Sequence, residues 1–339
     1  MSSIEPVRLG VVSTAKIARD KVIPGLRTTP WVEVAAIASR DADRAAATAA
    51  ALGIPTAYGS YEALFADPTI EAVYIPTPND SHVDLSLAAA RAGKHVLCEK
   101  PAGMNAADAA RLRAIPEGIV WTEAFMVRQH PQWLAVRDMV RAGRIGRPIG
   151  VQVWFSYDLH DPDNIRNRPE NGGGALLDIG CYPIVVSRFV LDAEPLRVAA
   201  AIDRDATFGT DRLTSALIDF GAGRHLTFQV ATQSVPHQRV DVVGTAGRLQ
   251  VMIPFNAPQG EATVIRFDDG VALGDAGIET IILPPSDQYG LEGEAFAKVI
   301  RGVEPAVYGV DDAIVMMTIL EATERAAREG RWVEIDRPV

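Results

Sequence analysis

Lys94-His95-Val96-Leu97-Cys98-Glu99-Lys100-Pro101 is a short apolar run that ends in a carboxylate, an amine and a proline. Read as a strand, residues 94–98 are buried and Glu99-Lys100-Pro101 stands at the carboxyl end. Ligands of open α/β sheets gather outside that edge of the strands. A lysine placed there can hold or move a proton on an alcohol or carbonyl, because its pKa falls readily in a partly desolvated pocket. A surface lysine closing a strand would give the same tripeptide, so the surrounding sequence has to decide.

Outward from this run, residues 1–124 alternate strand and helix. Strands are expected at 7–13, 32–38, 71–75, 94–98 and 119–121, with helices at 15–27, 41–52, 80–92 and 106–114. Strands separated by helical periods imply crossover connections and a parallel sheet. Beyond Ala124 the texture changes. Strands at 148–157, 197–202, 212–220, 225–232, 239–243 and 248–253 follow one another, with turn punctuation such as Phe220-Gly221-Ala222-Gly223. Helices interrupt at 174–190, 291–300 and 311–328. Strand after strand predicts a mainly antiparallel open sheet in an α+β second domain. The expected organisation is an α/β domain over 1–124 and an α+β domain over 125–339, with the ligand cleft between them. A chain of 339 residues exceeds what one core usually supports.

The 33 basic and 43 acidic residues give a net charge of −10, which argues against a general nucleic-acid surface. No long apolar run or charged-then-apolar leader is evident, so a cytoplasmic chain with no membrane partner is expected. Neither the two cysteines nor the six histidines show metal-ligand spacing, and no metal is expected. Cys98 and Cys181 each lie beside a motif of interest, where buried packing is their commoner role.

The first strand leads into Gly10-Val11-Val12-Ser13-Thr14-Ala15-Lys16-Ile17-Ala18, a degraded form of the G-x-G-x-x-G turn. Small residues at such a strand–helix turn let backbone N–H groups approach a pyrophosphate, although they also serve plain packing. The second strand ends Ile37-Ala38-Ser39-Arg40. NAD enzymes usually carry a carboxylate there for the ribose hydroxyls, whereas a hydroxyl followed by a guanidinium suits an adenosine 2′-phosphate. NADP is therefore expected over NAD. Asp41 has the simpler role of capping the next helix. Ile75-Pro76-Thr77-Pro78-Asn79-Asp80-Ser81-His82 is the next strand exit, with Thr77, Asn79 and His82 as candidates along the ribose and nicotinamide.

The second chemical signal is Gly172-Gly173-Gly174-Ala175-Leu176-Leu177-Asp178-Ile179-Gly180-Cys181-Tyr182-Pro183. Three glycines let a backbone turn and come close to a ligand. Asp178 and Tyr182 stand four apart and share a helix face. An acid and a phenol on one face suit proton transfer to a carbonyl oxygen on which hydride addition builds alkoxide character. Taken alone, such a pair is more often a structural hydrogen bond.

Glu-Lys-Pro after a sheet strand, combined with Gly-Gly-Gly-x-x-x-Asp-x-Gly-x-Tyr in the second half, resembles the Gfo/Idh/MocA oxidoreductase family across nearly the whole chain. The resemblance implies a Rossmann N-terminal domain, an NAD(P) cofactor and a small-molecule carbohydrate substrate. By the same resemblance Lys100 is the catalytic lysine and Glu99 shapes the site or contacts the nicotinamide ribose. Tyr182 is the acid/base phenol of the dihydrodiol, xylose and glucose–fructose branch, and Asp178 contacts substrate or orients its neighbours. Arg166, in Asn164-Ile165-Arg166, is a candidate contact to the cofactor. The polar loop bearing Tyr157, His160, Asp161, Asp163, Arg166 and Arg168 fits a polyol or sugar. A homodimer or homotetramer is implied as well. The alternatives are a trans-dihydrodiol or dicarbonyl oxidoreductase and a non-catalytic dinucleotide sensor of the same fold.

Overall fold

The computed structural model describes residues 4–272 and 274–336. The chain divides into two compact units. One joins the residues up to Met126 with Asp287–Ile314; the other joins Val127–Ser286 with the residues from Val315 onward. The principal helices are α1 Ala42–Leu52, α2 His82–Arg91, α3 Pro131–Arg141, α4 Cys181–Leu191, α5 Gln288–Ile300 and α6 Val310–Glu329.

The first unit is built on strands β1 Val7–Val12, β2 Val32–Ala38, β3 Thr56–Tyr58, β4 Ala72–Ile75, β5 His95–Glu99 and β6 Trp121–Ala124. They form a sheet of order β3-β2-β1-β4-β5-β6 with every pair parallel. This is the doubly wound order whose switch point lies between β1 and β4. β1 and β4 are almost wholly buried, as their unbroken apolar sequences require of strands covered on both faces. The last strand begins at Trp121, where the sequence pattern placed its end. Asp41 caps α1 by accepting from the Arg44 N–H, and Gly53 closes it in the left-handed conformation.

Asp287–Ile314 returns to this unit for a steric reason. A Cβ on Gly290 would lie 2.8 Å from the Gly25 carbonyl oxygen, and one on Gly25 would lie 2.7 Å from Tyr289 Cβ. A Cβ on Gly293 would overlap the Leu26 side chain. The glycines thus bring α5 into close contact with the short helix Ile23–Leu26. Beyond α5, Arg301 donates to both carboxylate oxygens of Glu71 at 2.7 and 2.9 Å and to the carbonyls of Glu5 and Pro6. Its hydrogen bonds hold the Glu71 carboxyl below the usual carboxylate range. A depressed folded-state pKa contributes stability above the unfolded pKa and loses it as pH falls through the folded one. Arg301→Ala is accordingly expected to cost about 2 kcal/mol at pH 7, and less near pH 3. Urea titrations at both pH values check it; equal losses at the two would refute the charge-assisted account.

The second unit holds β7 Pro148–Asp158, β8 Arg197–Arg204, β9 Asp211–Asp219, β10 His225–Ala231, β11 Gln233–Gly244, β12 Arg248–Val251, β13 Thr263–Asp268, β14 Glu279–Leu283 and β15 Val333–Glu334. Their order is β14-β13-β12-β11-β7-β10-β9-β8-β15. The sheet is antiparallel except where β10 pairs parallel with β7. Residues 169–191 are apolar enough to span a bilayer by composition, but 83% of their most apolar window is buried inside the fold. They are the core helix of this unit, and α4 packs on β7 and β10. The helix α3 and the strands β3, β13, β14 and β15 were not foreseen from the sequence.

Candidate active site

Each unit carries its own group of candidate residues. In the first unit the turn after β1 is tight. Ser13 adopts φ +95°, its N–H donates to the Ala38 carbonyl at 2.9 Å, and its hydroxyl accepts from the Ala15 N–H at 3.2 Å. Thr14, Ala15, Lys16 and Ile17 follow into a helical segment whose first N–H groups have no intrahelical partner. Gly10 lies inside β1, and a Cβ there would meet the Leu64 side chain at 2.6 Å, so this glycine serves packing. At the end of β2, Ser39 is 7% exposed and its hydroxyl accepts from the Asp41 N–H at 3.2 Å. Arg40 is exposed and interacts with Tyr61. Asp41 is committed to capping, so Ser39 and Arg40 present a hydroxyl and a cation at this strand end. Such a donor set, beside a helix start at the switch point, fits a dinucleotide bearing a 2′-phosphate.

Glu99 and Lys100 are half-buried at the carboxyl end of β5. Glu99 Oε1 accepts from the Tyr74 hydroxyl at 2.6 Å, and its Oε2 accepts from the Lys100 backbone N–H at 3.3 Å. Tyr74 sits on the neighbouring β4, is fully buried and has its phenol pushed far up by burial and by Glu99. It therefore stays protonated and donates. The sequence reading missed it; a lone tyrosine in an apolar central strand is the signal that could have found it. Cys98 beside them is fully buried and its thiol is pushed up by burial, which makes it an inert packing group.

His82 is 1% exposed. Its Nδ1 lies 2.8 Å from the Pro101 carbonyl and its Nε2 lies 2.7 Å from the Thr77 carbonyl. The ring thus sits between the strand exit at Thr77 and the turn after Lys100, and burial favours its neutral form, whose one N–H donates to one of these two carbonyls. The Thr77 hydroxyl accepts from Ser81 at 2.8 Å, and Asn79 opens the turn that leads into α2.

In the second unit, Asp178 lies in a wide helical turn, Leu176–Gly180, that runs directly into α4. Its Oδ2 accepts from the Tyr157 hydroxyl at 2.6 Å and from Arg166 Nε at 3.0 Å. Burial first, and then Asp178, push the Tyr157 phenol up, while Asp178 raises the Arg166 guanidinium. Arg166, expected at the cofactor, is the ion-pair partner of Asp178. Tyr182 is 7% exposed, and its ring packs 5.8 Å from Phe155 and 5.2 Å from Phe255. Phe255 in turn stacks on Trp133, whose indole N–H donates to the Pro254 carbonyl at 2.8 Å. The glycine run admits protein groups. A Cβ on Gly173 would meet the Arg166 carbonyl oxygen at 2.5 Å, and one on Gly174 would overlap an Asp211 carboxylate oxygen. Of the polar loop, His160 pairs with Asp158 at 2.9 Å, Arg168 with Asp163 at 3.3 Å, and Asn167 donates to the Asp161 carbonyl.

Comparisons with known proteins find relatives over nearly the whole chain. Residues 7–117 match an oxidoreductase family with an NAD-binding Rossmann fold, and residues 133–250 match the GFO/IDH/MocA C-terminal domain. The chain is 44% identical to an uncharacterized oxidoreductase of Rhizobium meliloti, covering 96% of this chain and 98% of that protein. It is 36% identical to a D-xylose 1-dehydrogenase (NADP(+)) of Haloferax volcanii, over 96% and 99%. The crystal structure of a 3-ketoreductase from Actinomadura kijaniata, in complex with NADP and TDP-benzene, superposes with a TM-score of 0.87 at 30% identity, covering 95% of this chain and 98% of that one.

Proposed function

The chain belongs to the GFO/IDH/MocA family of oxidoreductases, and from that premise we propose that it moves hydride between NADP(H) and a carbon of a sugar or polyol. The reactions this reading assigns are oxidation of an aldose at its anomeric carbon and reduction of a keto-sugar at the ring. One observation carries the reading: Lys100 follows β5 at the carboxyl edge of the switch-point sheet, its backbone held by a Glu99 that a buried tyrosine fixes. The xylose dehydrogenase and the 3-ketoreductase support a carbohydrate substrate and NADP. Assembly as a homodimer or homotetramer, and a cytoplasmic location, belong to the same proposal.

The nicotinamide, when bound, supplies or accepts the hydride. Lys100 and Tyr182 handle the proton of the reacting oxygen. In the oxidation direction they take the hydroxyl proton; in reduction the ammonium and phenol stabilise the forming alkoxide and protonate it. Asp178, oriented by Tyr157 and Arg166, positions the hydroxyls beside the reacting carbon. Ser39 and Arg40 hold the adenosine 2′-phosphate, and the turn at Ser13–Ile17 holds the pyrophosphate. Turnover of NADPH and NADH across a panel of aldoses, keto-sugars and trans-dihydrodiols tests this. Absence of turnover with every sugar, alongside turnover of a diol, would reject the carbohydrate reading.

Arg40→Asp is expected to lower the NADPH-to-NADH ratio of kcat/KM by about 100-fold, since it replaces a charge-assisted phosphate contact by repulsion. Steady-state kinetics with both cofactors check it. An unchanged ratio would remove Arg40 from phosphate recognition.

A further inference from the structure

Asp211 opens β9 and is 5% exposed, yet the proposed chemistry makes no use of it. Its Oδ2 accepts from the Leu176 backbone N–H at 2.7 Å and from the Thr214 hydroxyl at 2.8 Å. Leu176 begins the turn that carries Asp178, and that turn runs without a break into the helix of Tyr182. Helix starts leave N–H groups without intrahelical partners, and a carboxylate is the favoured group to receive them. The site is built around this carboxylate. Gly174 adopts φ +116°, and any side chain there would collide with Asp211 Oδ1. The Asp178 N–H bonds back to the Gly174 carbonyl at 3.1 Å, so the glycine and the proposed substrate contact are linked through backbone, and the Asp211 carboxylate holds the residue between them at Leu176.

We propose that Asp211 is a positioning residue for the reaction: its ionised carboxylate fixes the start of the helix that presents Asp178 and Tyr182, and protonation of that carboxylate releases the start.

The charged surroundings place this change in an accessible pH range. Burial pushes the Asp211 carboxyl up to about 6, against the pull of the Leu176 and Thr214 hydrogen bonds. Glu324 on α6 raises it and Arg204 on β8 lowers it, and these two pair with each other. Tyr157 on β7 also faces Asp211 and is itself raised, so it remains neutral throughout. With the carboxyl at about 6, ionisation is complete near pH 8 and largely lost near pH 5.

The test compares the full-length wild type with Asp211→Asn and Asp211→Ala. Asn keeps an acceptor for the Leu176 N–H and has no charge to titrate. The first readout is hydrogen exchange of residues 174–180 between pH 5 and 8, corrected for intrinsic rates. Wild-type protection is expected to fall about tenfold below pH 6, protection in Asp211→Asn to be flat with pH, and protection in Asp211→Ala to be low throughout. The second readout is NADP+-dependent oxidation of D-xylose, which rests on the function proposed above. Asp211→Ala should lose about 100-fold in kcat, as misplaced catalytic groups do. Its KM for NADP+ should change less than twofold. Asp211→Asn should keep kcat within about fivefold at pH 8 and lack the inflection near 6. If Asp211→Ala fails to fold, the asparagine variant decides alone. Exchange and acid limb in Asp211→Asn that both match wild type would overturn the proposal. Wild-type inactivity toward D-xylose would exclude that one sugar as the substrate, while the exchange data would still decide the role of Asp211.

Discussion

Lys100→Met is expected to lower kcat by about 10³-fold or more while leaving NADPH affinity within a few-fold. Methionine has nearly the length of lysine and keeps the backbone N–H that Glu99 accepts, so the turn after β5 retains its geometry. Only the amine disappears. In the mechanism proposed above that amine is one of two groups that take or give the proton at the reacting oxygen, and on that proposal its loss is expected to fall on the chemical step and spare binding. Stopped-flow hydride transfer together with a fluorescence titration of NADPH separates these effects. A variant that bound cofactor normally and turned over within tenfold of wild type would end the role assigned to Lys100.

Tyr182→Phe should be the second largest loss, about 10²-fold in kcat with little change in stability. The substitution removes a single oxygen. The ring keeps its edge-on packing against Phe155 and its contact with Phe255, so the aromatic cluster of the second unit is undisturbed. Thermal unfolding within about 1 kcal/mol of wild type, together with the kinetic loss, would place the effect in the hydroxyl. The double variant with Lys100→Met is expected to be little worse than Lys100→Met alone, because groups that serve one proton transfer act as a unit. A strictly multiplicative loss would mean that the two residues serve different steps.

The signals that the sequence carried well were local ones. The strand that ends in Glu99-Lys100-Pro101 is a continuous apolar run, and the turn from Gly172 to Asp178 announces itself through its glycines. The parallel sheet and the mainly antiparallel sheet followed from how strands alternate with helices or follow one another. What stayed hidden was set by pairing across the chain. Asp211 reaches Leu176 over 35 residues, and Tyr74 reaches Glu99 over 25. No spacing rule connects such partners. β13 and β14 were missed because polar and charged residues interrupt them, and β14 is largely exposed, so neither shows a full apolar face. The glycines at 173 and 174 read as room for a ligand because sequence shows a missing side chain without showing what fills its place. Here an Arg166 carbonyl and the Asp211 carboxylate do.

The return of Asp287–Ile314 to the first unit has a practical corollary for anyone recombining this protein with its relatives. A fragment ending at Met126 would be stripped of α5, baring the Gly25 and Leu26 surface that Gly290 and Gly293 cover and the Glu71 carboxylate that Arg301 neutralises. A chimera meant to exchange the second unit while keeping the first must therefore graft 127–286 together with the residues from Val315 onward and leave 287–314 native. The seams belong at three places in the gene.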